Sequence, residues 1–337
     1  MRTRSTMRDV AALAQVSLKT VSRVVNNETG VSPALVLQVR AAADQLDYRH
    51  NLAASNLRRG QRTLSIGVLV QDVANSFSAA LLRAVEDVSR DRGVVVFAAS
   101  LDEKEERERQ LVANFISRQV DGLLLMPATT DHSYLSHEVR TGLSVVVIDR
   151  PAIGLRADSV RVDNRTGARI AVEHLVRHGH RRIAFLGDLA SIETAGARQA
   201  GYADALRDSD IAPRPDLTVL GLRDADAATE AVRRLLQLEQ PPTAFFTGRN
   251  VLTVGAARGL RQAGVARSVA LVGFDDFALA DSLEPPVTVI RQDVDAVGRL
   301  AGRMLLERIA GLEGPPREIV LPTTLIPRGS GELSPPG

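Results

Sequence analysis

Seven side chains within ten residues, Ser17, Leu18, Lys19, Thr20, Ser22, Arg23 and Asn26, include the types that meet nucleic acid. Hydroxyls and amides donate to phosphate oxygens, a lysine reaches a phosphate or a base, and an arginine fork matches the major-groove edge of guanine. Val21, Val24 and Val25 recur between them at helical spacing, so a helix is predicted with the valines inward and the polar set outward. Ser17 is placed to cap that helix, and the unpaired N–H groups of its first turn form a phosphate seat. Taken singly, Lys19 or Arg23 fits an ordinary solvated helix face. As a cluster they point to DNA.

No comparable set for catalysis or metal binding occurs. The chain has no G-x-S-x-G elbow, no Walker lysine loop, no H-E-x-x-H and no cysteine. Without cysteine there are no disulfides and no thiolate metal site. His174 and His178 lie four apart, with His180 beyond, a spacing that can hold zinc. No further ligand completes the set, so a structural role is expected, with no metal and no cofactor. Asp275-Asp276 could do acid–base work in principle, but a ligand clamp explains them without a reaction. The charge run "DEKEERER" reads as a solvated helix start.

The elements that position the first cluster are short. Thr6 is set to N-cap a helix bearing Val10, Leu13 and Ala14, with Asp9 as its capping-box partner. Ser32-Pro33 reads as N-cap and first position of a third helix, with Val36, Val39, Ala43 and Leu46 buried. Three such helices make a helix-turn-helix module of about 45 residues. Residues 1–63 hold ten Lys/Arg and four acids, a charge of +6, which leaves −4 for the remainder of a chain of +2. A basic head suggests a polyanionic partner for the head alone, the alternative being a solubilising arm.

"TMRDVAALAQVSLKTVSRVVNN" closely resembles the opening of the lac repressor (LacI/GalR) family of transcription factors. The resemblance implies base reading by Leu18, Lys19 and Arg23, with Leu18 and Lys19 setting operator choice. It implies phosphate contacts from Thr6, Ser17, Thr20, Ser22, Asn26 and Ser32. "NLAASNLRRG" would by propensity be a flexible linker, too short for a stable isolated helix. In this family the segment is a hinge helix that folds on the operator, with Leu57 where the family places its minor-groove wedge. Such a wedge unstacks base steps and kinks the duplex.

From Thr63 onward, apolar strands alternate with amphipathic helices, as in parallel sheets covered on both faces. Helices are predicted over 78–92, 105–118, 167–178, 196–209, 225–238 and 253–263, between eight strand candidates in two similar α/β halves. The expected fold is thus an all-α helix-turn-helix head on a bilobed body of two doubly wound parallel-sheet lobes, resembling periplasmic binding proteins. The expected divisions are 1–49 for the head, 50–62 for the hinge, 63–330 for the effector domain and 331–337 for a tail. By resemblance the first lobe takes 64–161 and 291–318, and the second 162–290 and 319–330.

Ligands are expected between the carboxyl ends of the strands. "QDVANSF" matches the family's P-D-x-x-N-P-F at Asp72, Asn75 and Phe77, and Phe77 could stack on an apolar sugar or base face. Asp149 ends the fourth strand, where a carboxylate accepts hydroxyl hydrogen bonds. The resemblance adds Thr194, Arg198, Phe246 and Asp275. The bland alternative for each is a loop cap or surface ion pair. "GRNVLTVG" departs from the family's A-N-D-x-x-A-x-G, with Arg249 for Asn and Asn250 for Asp. Either Arg249 binds a carboxylate or phosphate of the effector, or it pairs internally with Asp275 or Asp276.

The expected function is a sequence-specific regulator, a repressor and not an enzyme, switched by a sugar, sugar acid or sugar phosphate. Its partners would be a near-palindromic operator and a second copy of the chain. Met1 to Arg8 is polar and basic, unlike a secretory leader, and no apolar run could span a bilayer, which suggests a cytoplasmic, nucleoid-associated protein with no membrane partner. A sugar-binding receptor or sugar-modifying enzyme with an incidental basic head is the competing reading.

Overall fold

A computed structural model describes residues 5–26, 28–49 and 63–336. The expected hinge, 50–62, and the wedge at Leu57 lie outside the described residues. The chain divides into two compact units after Thr63.

In the first unit, α1 (Met7–Leu13), α2 (Leu18–Val25) and α3 (Pro33–Gln45) begin at the three predicted caps. Thr6 and Asp9 form the reciprocal capping box, Ser17 accepts from the Thr20 amide, and Ser32 from the Leu35 amide. Val10, Ala14, Val21, Val24, Val39 and Ala42 close a small core. Gln38 ties α3 to the first turn through the Ala14 carbonyl, at 2.9 Å.

The second unit holds two six-stranded sheets. The first contains β1 (Ser65–Val70), β2 (Val95–Ser100), β3 (Gly122–Leu125), β4 (Ser144–Ile148), β5 (Asp158–Val162) and β11 (Glu318–Leu321), in the order β11-β5-β4-β3-β1-β2, all parallel. The second contains β6 (Ile183–Leu186), β7 (Thr218–Val219), β8 (Ala244–Thr247), β9 (Ala270–Phe274), β10 (Thr288–Gln292) and β12 (Thr323–Ile326), in the order β12-β10-β9-β8-β6-β7. Only β12 runs antiparallel to its neighbour among these pairings. Central strands such as SIGVLV are buried at every position, because helices cover both faces.

Those helices are α4 (Ser76–Arg90), α5 (Glu105–Ser117), α6 (Ser136–Arg140), α7 (Asn164–Arg177), α8 (Glu193–Asp208), α9 (Ala225–Leu235), α10 (Asn250–Gln262) and α11 (Val294–Ile309). Four of them, α4, α7, α8 and α10, start two or three residues earlier than predicted. Their first turns carry caps and polar residues rather than the apolar period that signals a helix. Asn75 caps α4 by accepting from the Phe77 amide, and Asp163 caps α7 by accepting from the Thr166 amide. Consequently Thr194 and Asn250 sit in first helical turns, not in loops. No helix among the described residues is long and apolar enough to cross a membrane.

The chain passes between lobes after β5, after β10 and after β11. Ile319, Val320 and Leu321 pair with β5 in the first sheet, so the last crossing falls at Pro322, beyond the expected boundary at 318. Pro322 interrupts the sequence there between Ile319-Val320-Leu321 and Leu325-Ile326, and the pairing partners show which sheet each half joins. The first two crossings end alike, in Asp163 capping α7 and Asp293 capping α11.

The segment expected as a tail is docked on the second lobe. Glu332 accepts from His174 Nε2 at 2.5 Å, from the Thr288 hydroxyl at 2.8 Å and from the Gly329 amide at 2.6 Å. His180 bonds the Thr243 hydroxyl and the Leu333 carbonyl. Burial opposes ionisation of Glu332, but the donors from His174, Thr288 and Gly329 outweigh it and pull the carboxyl down to about 2. Its contribution is therefore present above the ordinary glutamate range and is lost as pH falls from about 4.3 towards that value. Glu332→Ala should cost about 2 kcal/mol at neutral pH, and the gap to wild type should narrow in melts at pH 3.

"DEKEERER" is not wholly solvated. Glu108 is buried, accepting from the Ala128 and Thr129 amides and from the Tyr134 hydroxyl at 2.6 Å. Burial and that bond raise the Tyr134 phenol above its ordinary value. The anchor fixes the loop leaving β3.

Candidate functional site

The head presents its polar cluster on α2. Leu18 is 44% exposed and Lys19 is exposed beside it, while Thr20, Ser22, Arg23 and Asn26 are half-buried. The hydroxyls expected at phosphates already have intramolecular partners. Ser17 Oγ bonds Thr20 Oγ1 at 2.8 Å, and the Thr6 hydroxyl donates to Asp9 at 2.8 Å. The Asn26 amide donates to the Ser22 carbonyl. The Thr6 backbone and side-chain bonds lower the Asp9 carboxyl below its ordinary range. Such caps fix each helix start and leave its first N–H groups pointing outward.

In the body, topology decides where a ligand can sit. After β2 the chain returns to the opposite side of β1, and after β7 to the opposite side of β6. Each lobe therefore has a switch point at the carboxyl ends of its central strands, where loops diverge and leave a crevice. A cavity of about 290 Å³ lies there, lined by residues from both lobes. Asp72, Phe77, Asp149, Thr194, Arg198, Arg249 and Asp275 all line it, as does Asn75.

Phe246 does not. It lies wholly buried in the second lobe's core, 5.5 Å from the Phe185 ring. On a strand covered by helices on both faces, neither alternating face opens to the crevice. The residues beyond the strand, Gly248, Arg249 and Asn250, do so.

Asp149 and Asp275 occupy equivalent places, each following a central strand, and each has a left-handed φ of +70°. Asp275 is held by Gln292 and lies 3.5 Å from Arg198. Arg198 donates to Asn164 Oδ1 at 2.8 Å and to the Gly248 carbonyl at 2.6 Å, and lies 3.9 Å above the Phe274 ring. Among the described residues, none donates a hydrogen bond to the Asp149 carboxylate. Burial pushes its carboxyl up, against the lowering pull of Arg150 and Arg198. Arg150, in turn, is fixed by both oxygens of Glu103, at 3.0 and 2.6 Å.

Arg249 is paired internally, but with neither expected partner. It meets Asp188, a buried residue two positions beyond β6. Asp276 pairs with Arg328 instead. The lobes meet through Asn75 and Asn250, whose amides bond reciprocally at 3.2 and 3.3 Å, with Ser76 Oγ 3.2 Å from Asn250 Nδ2. Sequence reading missed Gln71, Glu103, Arg150, Asn164, Asp188, Asn250 and Gln292. Gln71, Arg150 and Asn250 could have been found as the neighbours of Asp72, Asp149 and Arg249; the others are joined only by folding. The three histidines are spoken for: His178 bonds the His174 carbonyl, and the other two hold the C-terminal segment.

Residues 6–51 match the model of bacterial regulatory proteins of the lacI family, and 172–331 that of a periplasmic binding protein-like domain. The Escherichia coli K12 ribose operon repressor is 31% identical over 331 residues, spanning 97% of this chain and 99% of that protein. The chain belongs to the LacI family. Catabolite control protein A of Priestia megaterium is also 31% identical, over 303 residues covering 89% and 91% of the two chains. The lac repressor dimer bound to operator and the anti-inducer ONPF superposes with a TM-score of 0.85 at 28% identity, covering 98% of this chain and all of that one. As a LacI-family protein, the chain is a DNA-binding transcriptional regulator with a helix-turn-helix head and an effector-binding body. The fold class expected from the sequence holds. These relatives are regulators, and none is named for a reaction.

Proposed function

We propose that the chain is a homodimeric repressor whose operator affinity is switched by an uncharged, sugar-sized polyol held between the lobes. The observation that carries the choice of effector is the charge pattern of the cleft. Of the four arginines lining the cavity, Arg150, Arg198 and Arg249 each already face an internal carboxylate and Arg223 is exposed to solvent, whereas Asp149 faces the cavity with no donor among the described residues. A carboxylate so placed takes hydroxyl donors and repels anions. Asp275 and the unused N–H groups of Arg198 would hold further hydroxyls, and Phe77 an apolar ring face. The ribose named in one relative has this chemistry.

Leu18, Lys19 and Arg23 would read bases, and the six capping and flanking polar residues would meet phosphates. The 50–62 segment, with Leu57 as wedge, would act as the hinge between head and cleft. The protein would act as a ligand clamp at the nucleoid, with no reaction of its own. Effector binding would bias the lobe arrangement and thereby the pairing of hinges on DNA, a population shift between two states.

Calorimetry against pentoses, hexoses, disaccharides and their acid and phosphate derivatives tests the effector class. A neutral sugar should bind at least about tenfold more tightly than its acid or phosphate. The reverse order would show that a ligand anion displaces Asp188 from Arg249, and would overturn the proposal. Arg249→Asn with Asp188→Asn should keep neutral-sugar affinity within about threefold, because the pair is removed together. Arg249→Asn alone should bind less well, leaving Asp188 buried and uncompensated.

A further inference from the structure

Arg23 does not extend unsupported from α2. Its Nη2 donates to the Thr29 carbonyl at 2.7 Å, and its Nε lies 3.7 Å from a Glu28 carboxylate oxygen. Gly30 follows with φ +87°, and a Cβ there would stand only 2.9 Å from Nη2. A guanidinium carries five N–H donors in one plane. The turn engages the edge formed by Nε and one hydrogen of Nη2. Among the described residues nothing engages Nη1, so the opposite edge, which Nη1 forms with Nη2, remains for a partner, and it has the fork geometry that guanine O6 and N7 accept.

An acid beside a DNA-reading side chain repels phosphate and lowers affinity for any duplex. Its place next to Arg23 therefore calls for a compensating role. A long side chain that must be ordered on binding loses rotamer freedom that weakens the contact it makes. One held at its inner edge beforehand loses less.

We propose that the turn 28–30 is a positioning device for Arg23. The Thr29 carbonyl and Glu28 carboxylate hold the inner edge of the guanidinium, Gly30 leaves the room this requires, and the outer edge meets a guanine already oriented. Glu28 and Gly30 thus set base discrimination without touching a base. The inference rests on Arg23 being a base reader.

The test uses the full-length dimer and an operator drawn from a randomised DNA pool by the wild-type protein. The pair read by Arg23 is the G·C whose preference disappears in Arg23→Ala. At that position the affinity ratio for G·C over A·T is measured for wild type, Glu28→Gln and Gly30→Ala, and for each variant combined with Arg23→Ala. Gly30→Ala should lower the ratio about tenfold and Glu28→Gln about threefold, while random DNA binds as well or better. Neither substitution should change the ratio once Arg23 is alanine. An unchanged ratio in Glu28→Gln and Gly30→Ala, or an equal loss without Arg23, overturns the device. If Arg23→Ala leaves every base preference intact, the base-reading assignment falls, and the device with it. Should Gly30→Ala melt early, because its left-handed backbone disfavours alanine, Glu28→Gln decides alone.

Discussion

Arg198→Ala should raise the effector dissociation constant by about a hundredfold or more, and Arg198→Lys should rescue little of the loss. The guanidinium joins three pieces of the second lobe that are far apart in sequence: Asn164 at the start of α7, the Gly248 carbonyl beyond β8, and Asp275 beyond β9. Its plane also rests on Phe274. Truncation leaves Asp275 buried with Gln292 as its remaining partner, and removing one member of a buried charge pair costs about 3–5 kcal/mol. Lysine supplies the charge but not the planar fork that reaches several acceptors at once. Calorimetry of the two variants with the best-binding neutral sugar is the measurement. Binding by Arg198→Lys within threefold of wild type would show that charge, and not the fork, organises the cleft.

What was legible in the sequence divides along a physical line. The caps Thr6, Ser17 and Ser32 act on amides three residues away, so their roles are written locally and the structure has them as expected. Asp149 and Asp275 follow apolar runs directly, and a residue just past a parallel strand must lie at the crevice end of the sheet. Pairings across the fold carry no such local mark. Nothing near Arg249 singles out Asp188, 61 residues earlier. Nothing near Glu108 reveals that its carboxylate anchors the loop leaving β3, so it was read with its solvated neighbours. Phe246 failed differently. The resemblance places it among the ligand residues, but β8 is sandwiched, and large apolar rings on a sandwiched strand belong to the core.

The meeting of Asn75 and Asn250 connects the two scales. Asn75 caps α4 and Asn250 opens α10, so the positive ends of two helices from different lobes face one another across the cleft. The family's usual aspartate at the second position would bring a charge to that contact. Here two neutral amides exchange donors and acceptors, and the lobes touch without any charge that a ligand must compensate. An effector entering the cleft therefore works against, or with, three modest hydrogen bonds worth about 0.5–1.5 kcal/mol each. That is small enough for ligand contacts to shift the balance between lobe arrangements.

Asp158→Ala should destabilise the body by about 3–5 kcal/mol at neutral pH, among the largest losses a single substitution in the first lobe could cause. The Asp158 side chain is wholly buried at the start of β5. Arg308 reaches it from α11 at 2.8 and 3.1 Å, and Arg317, just before β11, reaches it at 2.7 and 3.1 Å, with the Arg317 amide adding a bond at 2.8 Å. Three chain segments that belong to one lobe only by folding are thus joined at one carboxylate, and Glu307 completes the network through Arg317. Burial alone would raise the Asp158 carboxyl; the bonds from Arg308 and Arg317 outweigh it and hold it below its ordinary value. A carboxyl lowered by folding stabilises above its unfolded value, near 3.9, and loses that contribution as pH falls through the folded one. The wild type should therefore lose its advantage over Asp158→Ala as pH drops below about 4, whereas at neutral pH the gap should be full. Denaturant unfolding of both proteins across that range measures it. A gap that stayed constant with pH would mean that packing around Asp158, and not its charge, joins these segments.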